Sequence, residues 1–191
     1  MEWFRTPSVS RARSVLRRQD RPRVRALARA GAPFDRFCLA LASTFFTGFL
    51  PLGGLWGAFA GTGVAAMMPS PLASSCLLAA TIAIGIALIA RVHRAAGVDD
   101  PSEVTIDEVA GAWLACLVSG LHGTALWLPL AAFCLFDATK PLPANLLDRH
   151  PGALGVMGDD LVAGLYGGLL ARAVSAALPS AFATVLHATK F

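Results

Sequence analysis

Residues 109–136 read VAGAWLACLVSGLHGTALWLPLAAFCLF and carry no charge. Their middle, Ser119-Gly120-Leu121-His122-Gly123, is a turn-forming cluster. As one straight helix the stretch would carry Asp137 to the opposite side of a membrane from Asp107. Split at the cluster, each arm has about a dozen residues, or roughly 18 Å at 1.5 Å per residue. That is too short for a hydrocarbon core of about 30 Å. The reading is therefore a helical hairpin half-sunk in a bilayer. It returns Asp137 to the side of Asp107 and keeps the polar segment Lys140–Asp160 there too.

The rest of the chain fits that setting. Of its 191 residues 55% are apolar and 15% charged, and the mean hydropathy is +0.61. A soluble domain carries about a quarter charged residues. No charge occurs from Phe37 to Ala90. Leu72–Ala90 fits one span. Phe37–Met68 is interrupted by Pro51 and by Gly53, Gly54, Gly57, Gly61 and Gly63. It reads as a bent or re-entrant pair of short helices, because proline removes a backbone donor and glycine loosens a helix. Leu161–Leu186, broken by Arg172 and Pro179, reads as one span plus a short terminal helix. The expected fold is all-α, a small helical membrane bundle with short or re-entrant helices and a helical hairpin. The size excludes a large multidomain enzyme and the low charge excludes a disordered chain. Cys38, Cys76, Cys116 and Cys134 are scattered through apolar stretches, which argues against a disulfide scaffold or a zinc knuckle.

Charge is distributed unevenly. Residues 1–36 hold ten arginines and three acids, a net +7, whereas the remainder is net −3. An arginine-rich start fits a nucleic-acid arm, a transit peptide or a cytoplasmic tail. The positive-inside rule accounts for it beside a membrane core without further assumption, and Arg91 and Arg94 point the same way. The expectation is a flexible cytoplasmic tail over 1–36, a membrane-embedded domain over 37–191, the bilayer as a partner and no nucleic acid.

All nine acids outside that tail lie between residues 99 and 160. Each has an ordinary explanation. Thr105-Ile106-Asp107-Glu108 is a capping box. Asp99-Asp100-Pro101 suits a solvated turn. Asp137 and Lys140 are three apart and can pair. Asp148-Arg149 can be a surface ion pair, and Asp159-Asp160 an N-cap followed by a first-turn acid. Together, carboxylates at four helix ends suggest more. Packed carboxylates repel, and a hard divalent cation such as Mg²⁺ removes that penalty while also taking substrate phosphate oxygens. With Lys140 and Arg149 nearby, the set suits a phosphate ester at the lipid–water boundary. The four histidines show no metal-ligand spacing, and His150 is the one worth testing. Trp56, Trp113 and Trp127 read as packing or interfacial anchors.

Three blocks carry a family resemblance. Asp100–Gly111 resembles the D-P-x-x-I-V-x-D-E-x-x-G block of the bacterial phosphatidylglycerophosphatase A family. Phe136–Pro143 with Asp148-Arg149 is similar to its D-x-x-K-P-x-P…D-R block, and Gly155–Gly164 to its G-x-M-x-D-D-x-x-A-G block. Order and spacing agree over roughly residues 45–170. The early Pro51–Ala58 segment departs, lacking the second proline, the threonine and the serine of the family's P-x-x-P-G-T-x-G-S.

The resemblance implies an inner-membrane enzyme that hydrolyses phosphatidylglycerol phosphate with Mg²⁺. The family's acids carry over to Asp107, Glu108, Asp137, Asp148, Asp159 and Asp160, and its lysine to Lys140. The assignment adopted is Asp107, Asp137 and Asp160 for catalysis, and Asp107, Glu108, Asp137, Asp159 and Asp160 for metal. Lys140 and Arg149 are expected to bind substrate, with Asp100 and Asp148 as supporting acids. Two rivals remain. A phosphatidyl- or prenyltransferase would use Asp99-Asp100-Pro101-Ser102-Glu103 as a diphosphate motif, but no second such motif and no D-G-x-x-A-R signature occur. A non-catalytic lipid- or cation-binding protein would also carry an acidic mouth.

Overall fold

The computed structural model describes residues 21–99, 101–148 and 150–178, and among them there is no strand. Residues 21–30 form helix α1. Then come α2 (Pro33–Ala42), α3 (Gly53–Met67), α4 (Pro71–Ala96), α5 (Ile106–Ser119), α6 (Trp127–Thr139), the short α7 (Ala144–Asp148) and α8 (Ala153–Ala177). The fold is a small helical bundle in which α8 packs along α5 and α6, and α3 packs on the other side of α5.

The hairpin forms where the turn cluster predicts it. Gly120 ends α5 with φ 66°, a left-handed conformation open to glycine, and its N–H donates to the Cys116 carbonyl. A 3-10 turn over Gly123–Leu126 then leads into α6. The span predicted at Leu72–Ala90 is part of α4. Ser70 caps it by accepting from the Ala73 N–H, Pro71 occupies its first turn, and Gly97 ends it with φ 64°. Among the described residues two helices are long and apolar enough to cross a membrane, Pro71–Ala96 and Ala153–Ala177. The most apolar stretch of α4 is only 22% buried within the protein. Leu72, Leu77 and Ile84 lie exposed along it, which is costly in water and favourable in lipid.

Three readings change. The arginine-rich segment does not stay apart from the bundle up to residue 36. Val24 and Leu27, three apart on α1, are buried in the main core, and Arg23 donates to the Gly97 carbonyl at 3.1 Å. An amphipathic period lay hidden under the arginines, so the folded region begins by residue 21. In addition, α2 starts at Pro33, and Asp35 binds Arg91 of α4 at 2.6 Å.

The second change concerns the early glycines. The bend expected within Phe37–Met68 lies at Thr44, Phe45 and Phe46, all with positive φ, and the loop ends at Leu52. From Gly53 on, the glycines sit in one unbroken helix. Gly57 and Gly61, a turn apart, let α3 lie directly on the α5 backbone. A methyl at Gly57 would stand 2.7 Å from the Thr105 carbonyl, and one at Gly61 would collide with the Val109 carbonyl. Gly111 and Gly164 make the same backbone approach between α5 and α8. Small residues one turn apart are how helices associate where lipid removes the hydrophobic drive.

The third change is at α8, which begins at Ala153. Asp159 is therefore not an N-cap. Both Asp159 and Asp160 lie well inside the helix and are buried. The terminal helix expected beyond Pro179 lies outside the described residues.

Candidate active site

One end of the bundle opens into a cleft of about 520 Å³. The start of α5, the end of α6, the second turn of α8, the start of α3 and the loop before α5 all contribute to it. Six carboxylates line it: Asp107, Glu108, Asp137, Asp148, Asp159 and Asp160. Among the described residues the lining cations are Lys140 and Arg21. Asp107 and Asp137, thirty residues apart, thus share one rim.

The carboxylates divide into two groups. Asp107 and Glu108 from α5 and Asp160 from α8 each offer an oxygen, and these oxygens lie within 4.8 Å of one another. The second group surrounds Lys140. The residue ends α6 in a left-handed conformation (φ 44°), an unusual one for a side-chain-bearing residue. Its Nζ donates to Asp148 Oδ1 at 2.9 Å and to Asp159 Oδ2, and lies 3.9 Å from Asp137 Oδ1. Asp159 and Asp160 are neighbours in sequence, yet a helix turns by about 100° per residue, and they serve different groups.

Glu108 does not complete a capping box. Thr105 precedes α5 but makes no capping hydrogen bond with its side chain. Its hydroxyl instead meets that of Thr44 at 2.8 Å, and its N–H donates to the Ala42 carbonyl, docking the loop after α2 onto the start of α5. Glu108 is left facing its acidic neighbours. Burial, and then the Asp107 and Asp160 carboxylates, hold it well above the ordinary carboxylate range. Lys140 is pushed the other way by burial, but the Asp159 carboxylate, with help from Asp148, outweighs this and raises it, so its ammonium persists.

A divalent cation fits the three-acid group. At the separations found, two full negative charges repel by roughly 3 kcal/mol at an effective dielectric constant of about 20. Within that group Glu108 Oε2 is buried and accepts no hydrogen bond among the described residues. All-oxygen donors from carboxylates are what Mg²⁺ takes. Gly54 leaves the room this needs, since a methyl there would stand 2.5 Å from Glu108 Oε1.

Asp100 and Arg149, expected as a supporting acid and a substrate-binding cation, lie outside the described residues. His150 is exposed, and its Nδ1 is 3.0 Å from the Pro151 carbonyl rather than in the cleft. Trp113 is buried and donates to Ser74 Oγ at 2.8 Å, while Trp56 and Trp127 remain exposed. The departing early loop lines the cleft with Gly53, Gly54 and the apolar Leu50, Leu52 and Leu55. Arg21, which lines the cleft, carries no sequence motif of its own. The signal for Arg21 was the Val24/Leu27 period, which tied its segment to the bundle.

A family model described as phosphatidylglycerophosphatase A matches residues 40–175, which take in the described carboxylates of the cleft and Lys140. A Bacteroides thetaiotaomicron protein described as a "putative phosphatidylinositol-3-phosphatase" is 39% identical over 75 residues. That match covers 38% of this chain, and the chain spans about half (47%) of the relative's length. No solved structure matches.

Proposed function

The chain belongs to the phosphatidylglycerophosphatase A family, and from that premise we propose that it is a membrane lipid phosphatase. Its substrate is phosphatidylglycerol phosphate, its products are phosphatidylglycerol and inorganic phosphate, and Mg²⁺ is its cofactor. It works from the cytoplasmic rim of the cell inner membrane, with α4 and α8 crossing the bilayer. The observation that carries this reading is the meeting of Asp107, Glu108 and Asp160 in one cleft with Lys140.

Asp107, Glu108 and Asp160 would hold the ion. Mg²⁺ bound there supplies Lewis acidity toward a phosphoryl oxygen and lowers the pKa of an attacking water. Asp137 is the more open acid, its side chain 35% exposed, and would serve as the base toward an attacking water. Lys140 spends two of its three N–H donors on Asp148 and Asp159. The third is left for a phosphoryl oxygen, where a fixed cation stabilises developing charge. Leu50, Leu52 and Leu55 give the cleft an apolar side suited to a lipid glycerol backbone.

A second reading exchanges the glycerol head for inositol, as in the description of the Bacteroides relative. The test is phosphate release in detergent micelles from phosphatidylglycerol phosphate and, in parallel, from phosphatidylinositol 3-phosphate, with and without Mg²⁺. Release from the first that needs Mg²⁺ and disappears in Asp107→Asn and Asp137→Asn is expected. Turnover indifferent to Mg²⁺, or full activity in both variants, would overturn the assignment.

A further inference from the structure

We infer that Arg21 is a specificity-determining residue, binding a second, diester phosphate on the lipid whose terminal monoester is cleaved. The inference rests on the phosphatase reading above and names what that reading leaves open, the means of telling one lipid phosphate from another. Arg21 lines the same cleft as the carboxylates, although it comes from α1 and lies far outside the matched family region. Its side chain is 56% exposed, and it approaches the buried Glu103 only at 3.9 Å. The loop that carries Glu103 lines the cleft through Pro101, Ser102 and Val104, and Arg21 stands at the exposed side of that cleft while the buried Asp107, Asp159 and Asp160 form its acidic floor. Lys140, the other lining cation among the described residues, is engaged by carboxylates. A monoester on the floor therefore leaves Arg21 to face whatever anion follows it along the lipid. Phosphatidylglycerol phosphate and phosphatidylinositol 3-phosphate both carry a diester there; phosphatidic acid carries none. A guanidinium is suited to that contact, because its fork donates two hydrogen bonds to one phosphate.

Binding separates this inference from the functional one. Dissociation constants for phosphatidylglycerol phosphate and phosphatidic acid are to be measured in detergent with Mg²⁺, in an Asp137→Asn background, for Arg21, Arg21→Ala, Arg21→Lys and Glu103→Gln. Arg21→Ala is expected to weaken phosphatidylglycerol phosphate about tenfold, the low end for a charge-assisted contact, and to leave phosphatidic acid within twofold. Lysine should restore part of the loss, and Glu103→Gln should not reproduce it. Equal weakening of both lipids, no weakening of either, or the same loss in Glu103→Gln would overturn the assignment. Absence of phosphate release by the unmodified protein would instead count against the phosphatase reading, whatever Arg21 does.

Discussion

The two ends of the α5–α6 hairpin differ in what they bury. At the α5 start and α6 end, six carboxylates gather in a cleft of about 520 Å³. At the turn between the helices, a hollow of about 300 Å³ is lined by Ser70, Ser74, Cys116 and His122 among apolar neighbours, with no Asp, Glu, Lys or Arg among the described residues. Helices α3 and α5 contribute to both. Their turn end follows the usual economy of a protein interior, with Trp113 and Ser74 satisfying one another. Their open end defies it, placing Asp107 and Asp160 at 7% and 4% exposure beside Glu108. A cluster that works against folding at one end, when the chain can pack neutrally at the other, points to a ligand as its reason.

That contrast can be broken experimentally. Asp160→Asn should lower Mg²⁺-dependent phosphate release about a thousandfold or more, equivalent to roughly 4 kcal/mol of barrier, and chelation should do the same to the unmodified protein. Retained activity in the variant would remove the distinction between the ends.

Glu108→Gln should lower activity about a hundredfold, a smaller loss because two acids of the group remain. Yet it should raise the thermal midpoint of the metal-free protein by a few degrees. The sign follows from linkage. Glu108 holds its proton more tightly when folded, so metal-free stability should fall as pH rises from the ordinary glutamate range through its raised value. The glutamine variant should lack that fall, and a variant melting lower than its parent at pH 8 would argue against a repulsive cluster.

Gly164→Leu should cost about 1–3 kcal/mol by overpacking, because the added atoms meet the Gly111 backbone; unfolding in detergent reads it. His122→Ala, at the turn end, should change activity by less than twofold and stability by about 0.5 kcal/mol or less.

The hairpin was legible because a turn cluster is a local signal, and α4 because an uncharged run of that length has few alternatives. The Gly57/Gly61 contact was not. The same spacing loosens an isolated helix or tightens a pair, and only the partner α5 decides which. Asp159 read as an N-cap because it precedes an apolar run, but the helix was already under way from Ala153. For the site, the sequence placed on one rim the acids that line the cleft. It could not divide them, because the split depends on how α8 is rotated against α5 and α6. Arg21 is hidden for a different reason: the arginines around it mask the short apolar period of the buried Val24 and Leu27.

The adjacency of Asp159 and Asp160 couples the two groups mechanically. Both ride on one rigid cylinder, so any twist of α8 about its axis swings them in the same sense. A twist that draws Asp160 nearer Asp107 and Glu108 must drag Asp159 along its own arc past Lys140. An incoming cation would thereby apply torque to the lysine's grip, and occupancy at one station would be felt at the other without any intervening loop.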